Sequence, residues 1–412
     1  MTNTRIPLNV ENPDTHNSSA SVCHFLVKSS DFNSSFIQNQ ICNHIQFNPV
    51  VVSLYQKEGN RKFGKKTMVH PHMSVHTVKD LLMSKFLRNI VMLRKADMIK
   101  IEDFLAENHA NILHFHYGMS AIAFKNLLCK GLYPSLISFY GYDCHVFPYR
   151  KGGKGLKQYA KYVFDNIDVA LAMSDAMRKT LIDMGFPKSK VLVHYHGIPV
   201  SIFRNVHRET DVSVTNYITI SRLDPGKGLH YLIEAFAQAY KVYPRIKLTV
   251  IGSGRERDKL ESMIKKNNYN FISMPGAVNY ASFEHLDALR RADVFIQPSI
   301  TGKNGSKEGI PGSMTEAMAS GLPVIASRIG GIPDVVEHGK HGLLVQEQNI
   351  AELRNAILDF AINADTRRRM GANAQFIALK CFDLEKQELE LEEIYQSLAL
   401  RAQPAYLNNR RM

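Results

Sequence analysis

No stretch of this 412-residue sequence is apolar for long enough to cross a bilayer as a helix, and residues 1–21 are polar without a central apolar block. Neither an anchor nor a signal peptide is visible, so the expected location is the cytoplasm. Cysteine is scarce: Cys23, Cys42, Cys129, Cys144 and Cys381 are odd in number, scattered, and form no C-x-x-C pair. That pattern fits reduced, buried thiols and argues against structural zinc. Acidic residues are few in the first half, where residues 1–200 hold 24 Lys/Arg against 14 Asp/Glu, leaving 27 against 24 for the rest. A basic surplus alone suggests nucleic acid, but interleaved aromatics and any recognisable binding module are missing, so no nucleic-acid partner is expected.

What is present is a strand-helix alternation. At 45% apolar and 22% charged, a chain of this length supports two cores. Short β-branched runs predict strands at 22–28, 49–54, 112–116, 135–140, 169–173 and 191–194, then at 217–221, 246–251, 271–274, 294–298, 323–326 and 342–345. Helical patterns separate them, as at 229–243, 255–266 and 282–291, which calls for parallel sheets covered on both faces. The expectation is an α/β protein of two Rossmann-like domains facing across a cleft. It comprises a disordered head (1–20), a first domain (21–200), a second domain (201–384), and a final helix and tail (385–412). Gly197 and Pro199 mark a linker at 196–209. The segment 81–100, with Lys85, Arg88, Arg94, Lys95 and Lys100 among long apolar residues, reads in two ways. It is either a basic amphipathic helix for an anionic membrane surface or a core-facing helix with a solvated basic side.

Chemistry concentrates at a few points. Glu308 lies in a Gly/Pro loop after a strand, and Glu316 follows in the first turn of a small-residue helix. The peptide N–H groups from Gly309 through Ile310 and Pro311 to Ser313 surround that helix start, Pro311 supplying none, and suit an anionic diphosphate. Each acid also has a plain explanation. Ser313-Met-Thr-Glu316 spells a capping box, and Glu308 is close in sequence to Lys303 and Lys307. Arg222 and Lys227 share a turn just beyond a strand, where open parallel sheets bind ligands, or are two solvated cations. Gly252 and Gly254 make a tight turn without the rest of a dinucleotide fingerprint. Pro275, Gly276, Ala277 and Val278 follow the next strand as another turn. In the first half, His114 and His116 alternate on one strand as metal ligands do, but no third ligand follows at suitable spacing. Tyr140 and Asp143 sit in a strand-end loop, where Asp143 has an obvious turn role.

The E-x₇-E pattern from Glu308 to Glu316, the turn from Arg222 to Lys227, Val250-Ile-Gly-Ser-Gly254, Gly330-Gly-Ile-Pro and His341-Gly-Leu-Leu together resemble the retaining glycosyltransferases of family 4. The first half is similar more loosely, through 114–118, 139–143 and 174–177, and the insert 301–307 is like that of bacterial exopolysaccharide (colanic-acid-type) enzymes. The resemblance implies a GT-B fold whose C-terminal helix crosses back to the first domain. It implies a nucleotide diphosphate sugar donor, UDP-linked, and a hexose passed to a lipid-linked or growing polysaccharide acceptor. Arg222 and Lys227 would stabilise the departing diphosphate and Glu308 the sugar hydroxyls. Glu316 would bind the ribose, and Gly276, Ala277 and Val278 the nucleobase. His116, Gly118, Tyr140 and Asp143 would form the acceptor side. No Asp-x-Asp is present, so the expected site uses neither metal nor cofactor. Many relatives have histidine where this chain has Tyr140. A nucleotide-sugar epimerase of the same fold and a catalytically silent sugar-nucleotide-binding protein remain the alternatives.

Overall fold

The near-continuous apolar runs of this chain are those of strands buried on both faces, and they form two separate parallel sheets. The computed structural model describes residues 20–28, 34–55, 67–69, 93, 95–204 and 213–409. Its first sheet contains β1 (Ser21–Lys28), β2 (Asn48–Tyr55), β3 (Thr67–Val69), β4 (Ala110–His116), β5 (Ser135–Ser138), β6 (Val169–Ala172) and β7 (Val191–Val193), in the order β3-β2-β1-β4-β5-β6-β7. The second contains β8 (Thr215–Ile220), β9 (Ile246–Ile251), β10 (Ile272–Gly276), β11 (Val294–Gln297), β12 (Val324–Ser327) and β13 (Gly342–Val345), in the order β10-β9-β8-β11-β12-β13. Both orders reverse direction once, between β1 and β4 and between β8 and β11. Such a reversal opens a crevice beyond the carboxyl ends of the two strands.

The helices that matter to the sites are α1 (Ser35–Cys42), α2 (Leu229–Val242), α3 (Phe283–Arg290), α4 (Gly312–Ala319) and α5 (Leu384–Asn409). By its contacts the chain divides into one unit of Ile198–Asp383 and another that ends at Gly197 and resumes at Leu384. The final helix α5 thus belongs to the first sheet's unit. Its Leu391, Tyr395 and Leu398 pack on Val22, Ile112, Leu136 and Leu171 of that sheet. The opposite face of the sheet is covered by an apolar cluster that includes Phe25, Phe115, Phe124, Phe139 and Tyr159. In the second unit, Leu232, Ile233 and Phe236 of α2 pack with Tyr217, Leu248 and Val250.

One sequence reading differs from this structure in extent. The stretch 196–209 contains a helix, Val200–Arg204, rather than linker alone, because Val200 and Phe203 are buried. The last helix runs from Leu384 to Asn409. The head and most of the 81–100 segment lie outside the described residues; Lys95 and Lys100 fall in the helix Lys95–Glu107.

Candidate functional site

The turn after β8 is shaped by a glycine. Pro225–Lys227 forms a single 3-10 turn closed by Gly228 at φ 64°. A Cβ on Gly228 would stand 2.0 Å from the Pro298 carbonyl oxygen, so only glycine lets this turn rest against the end of β11. The close approach brings Lys227 to Glu308. Lys227 Nζ lies 2.7 Å from Glu308 Oε2, and Ser299 Oγ donates to the same oxygen at 2.8 Å. Gln297 Nε2 donates in turn to Ser299 Oγ at 2.7 Å. A second glycine holds the Glu308 loop: Gly330, at φ 55°, would place a Cβ 1.7 Å from the Glu308 carbonyl oxygen. Burial pushes the Glu308 carboxyl up, but Lys227 and Ser299 outweigh it and hold the group below its ordinary range. It is therefore ionised, and paired with Lys227 rather than with Lys303 or Lys307.

Arg222 stands at the same strand end but is 80% exposed, with Nη1 3.1 Å from Asp224 Oδ2. Its charge still contributes to the lowered pKa of Glu308. Gly276, Ala277 and Val278 lie at the carboxyl end of β10, two strands from β8. Gly276 is at φ 110°, and its carbonyl accepts the Gly252 N–H at 2.9 Å. Ile310 and Pro311 are buried, with Gly309 partly so, immediately before α4.

Glu316 corrects one sequence reading. The N-cap of α4 is Pro311, no side chain caps the helix, and Ser313 already lies within its first turn. The capping box is not formed, because α4 has already begun: the backbone N–H groups of Met314 and Thr315 bond the Pro311 carbonyl, so Ser313 lies inside the helix and is not its cap. Glu316 is left buried, 5% exposed, and burial raises its carboxyl to about 8. Its neighbour is His285 on α3, with Nε2 at 3.5 Å from Oε2. His285 Nδ1 accepts the Ala281 N–H at 3.1 Å, which puts the ring proton on Nε2, an atom with no hydrogen-bond partner. Burial lowers His285 to about 4, so both groups are neutral at pH 7. His285 was invisible in the sequence, since it sits in an unremarkable helix 31 positions before Glu316.

In the other unit the structure brings together all four residues expected on the acceptor side. Tyr140 Oη lies 2.7 Å from His116 Nδ1. Asp143 Oδ2 accepts the Gly118 N–H at 3.0 Å, while Oδ1 accepts those of Tyr140 at 3.0 Å and Gly141 at 2.9 Å. Asp143 thereby ties the loop after β4 to the loop after β5. Burial raises it to about 6 against the pull of these donors. Gly118 has no room for a side chain, because a Cβ would meet the Tyr159 hydroxyl at 2.0 Å.

The same face holds a histidine group that sequence spacing could not reveal. His24 on β1 is the register partner of His114 on β4, so the third imidazole beside His114 and His116 comes from a neighbouring strand. Ligand atoms of these three lie within 4.8 Å of one another. Proximity is not convergence here. The His114 and His116 rings are stacked at 4.4 Å, and His114 is bonded to Tyr395 at 2.7 Å and Ser138 at 2.8 Å. His24 and His116 likewise use both ring nitrogens in hydrogen bonds. The cluster is a satisfied polar layer between the sheet and α5.

Residues 208–376 match the family described as Glycosyl transferases group 1. The chain is 29% identical over 296 residues to a Salmonella typhimurium protein provisionally named colanic acid biosynthesis glycosyltransferase WcaL, covering 70% of this chain and 71% of that one. It is 30% identical over 258 residues to the amylovoran biosynthesis glycosyltransferase AmsK of Erwinia amylovora, covering 60% and 61%. The crystal structure of Anabaena HepE in complex with UDP superposes with a TM-score of 0.72 at 17% identity, over 92% of this chain and 100% of that one. HepE has also been solved with UDP-glucose. The shared architecture, two parallel-sheet Rossmann-like domains, is the GT-B fold.

Proposed function

We propose that this chain, which carries a glycosyl transferases group 1 domain in its second unit, is a retaining glycosyltransferase. It moves a hexose from a UDP-sugar to a lipid-linked or growing polysaccharide acceptor in surface polysaccharide synthesis. The observation that carries the reading is the Lys227–Glu308 pair at the crevice between β8 and β11. A cation and an ionised carboxylate fixed side by side suit a ligand with an anionic diphosphate next to a hydroxyl-rich ring. Both contacts to Glu308 use Oε2, which leaves Oε1 for sugar hydroxyls. Lys227, with Arg222 from the exposed side of the turn and the N-terminus of α4, would stabilise charge developing on the leaving diphosphate. Glu316 would accept the ribose hydroxyls and Gly276–Val278 the base.

In this mechanism the acceptor oxygen bonds the anomeric carbon on the face from which the phosphate oxygen departs, and the leaving diphosphate takes the acceptor proton. Retention follows from that front-face geometry. The UDP and UDP-glucose complexes of HepE support a uridine donor, and the names of WcaL and AmsK support an exopolysaccharide product. An anionic membrane surface suits a lipid-linked acceptor, and the basic first half would meet it from the cytoplasm.

Incubation with a panel of nucleotide sugars tests the reading. Slow release of UDP from one UDP-hexose in the absence of acceptor is expected. A protein that binds no nucleotide sugar, or interconverts sugars without transfer, would sink it. Replacing Glu308 with Gln should lower turnover at least about a hundredfold, the scale of one lost transition-state contact.

A further inference from the structure

Six side chains from separate parts of the first unit form one unbroken hydrogen-bonded row. Glu388 of α5 bonds Nδ1 of His44, which follows α1. His44 Nε2 lies 2.8 Å from His24 Nε2, and His24 Nδ1 lies 2.9 Å from His116 Nε2. His116 Nδ1 is 2.7 Å from Tyr140 Oη, which donates to Gln40 Oε1 at 3.3 Å. The three imidazoles are at most 5% exposed.

Such a row has a direction. Each link holds one proton, and a neutral imidazole has one N–H and one lone pair, so a choice made at one end passes to the other. If the Glu388–His44 link holds its proton on Glu388, whose carboxyl burial pushes up, His44 Nδ1 accepts it and His44 Nε2–H must donate to His24. His24 Nδ1–H then donates to His116, and His116 Nδ1–H to Tyr140. The opposite direction requires a bare Glu388 carboxylate. That state is disfavoured by Glu392, which accepts the backbone N–H groups of Ile45, Gln46 and Phe47 and lies 3.9 Å from His44 Nδ1. Two buried carboxylates at one neutral imidazole repel. The other groups facing Glu388, Tyr395 and Cys42, bring no cation, and His114 is bonded to Tyr395 and Ser138 outside the row. His194 Nε2 is bonded to the Gln387 carbonyl. At the far end, Tyr140 faces Tyr117, the Ser138 hydroxyl and the cradled Asp143.

We infer that Glu388, His44 and His24 are positioning residues that act through His116 on Tyr140. They hold the hydroxyl proton of Tyr140 on Gln40 and offer its second lone pair, faced by the Ser138 hydroxyl in the unliganded protein, to a saccharide hydroxyl that takes the place of Ser138. An acceptor hydroxyl that donates to Tyr140 Oη is turned with its own lone pairs away from the tyrosine, the orientation an attacking oxygen needs. The assignment rests on Tyr140 lining the acceptor side. It also accounts for tyrosine at this position, since a phenol can end the row as donor to Gln40 and acceptor from His116 at once.

Nitrogen-15 NMR of the histidines in the full chain tests the direction. His24 and His116 should both be Nδ1–H tautomers. Glu388→Gln should preserve this, because its amide donates to His44 Nδ1. Glu388→Leu removes that donor, and both rings should shift to mixed or Nε2–H forms. An Nε2–H tautomer at His24 or His116 in the unmutated protein would overturn the inference without any variant. So would an unchanged spectrum in a folded Glu388→Leu. UDP titration of the same samples separates the two readings: affinity should be equal in all three proteins, and a failure of UDP to bind any of them refutes the donor site alone.

Discussion

Glu316 is held in the unliganded protein at a cost. Its raised pKa means that the folded state binds the proton more tightly than the unfolded chain does. Folding stability is therefore lost as pH rises from the ordinary carboxyl range towards about 8. Gln removes the ionisation, so Glu316→Gln should flatten that slope and stabilise the protein at pH 7 by up to about 3 kcal/mol. Its UDP affinity should fall, since an amide accepts ribose hydroxyls poorly. Thermal melts across pH 5–9 beside UDP titrations check both halves, and a less stable variant with normal affinity would show a structural role only. Lys227 presents the opposite case. Lys227→Ala strands an ionised Glu308, so it should weaken binding of UDP far more than of uridine, and the double change with Arg222→Ala further still. Equal losses for the two ligands in calorimetry would remove the diphosphate role.

The carboxyl ends of the strands show which features the sequence made legible. Residues within one loop or turn, such as Arg222 with Lys227 or Tyr140 with Asp143, were readable because chain connectivity fixes them together. Strand pairs β1–β4 and β8–β11 put the remaining partners side by side, and nothing local reports that. Lys227 meets Glu308 across 81 positions, and His44 meets Glu388 across 344. The capping box at Ser313 failed for a similar reason, because Pro311 caps α4 two residues earlier than the motif implies. Basic character is also an element property. In the helix Arg150–Tyr162, Lys154, Lys157 and Lys161 recur at helical spacing and are exposed, while Gly155 and Tyr159 are buried. Each such lysine is worth about 1 kcal/mol near an anionic bilayer. Replacing the three with Gln should weaken salt-sensitive binding to anionic vesicles and leave neutral vesicles unbound. Binding indifferent to the change would place membrane contact elsewhere or nowhere.

At the scale of the whole molecule, the chain leaves the first unit at Gly197 and returns to it at Leu384, so among the described residues two passages join the units. The bridge between Ile198 and Asp383 and the hydrogen bond from the Ile198 N–H to the Phe382 carbonyl, 2.8 Å, lay these passages side by side. Each unit has its own sheet and apolar core, and every residue assigned to the nucleotide lies within Ile198–Asp383. A ligand that binds one folded unit stabilises that unit by mass action, about 2.7 kcal/mol at a hundredfold excess over its dissociation constant. UDP should therefore move one calorimetric transition upward and leave the other in place, with the moved transition assigned to the second unit by hydrogen exchange in β8 and α4. A Lys227→Ala chain should show both transitions and little UDP shift in either. If both move together in the unmutated protein, the two cores unfold as one cooperative body. If only the first unit's transition moves, the nucleotide site has been put in the wrong half of the chain.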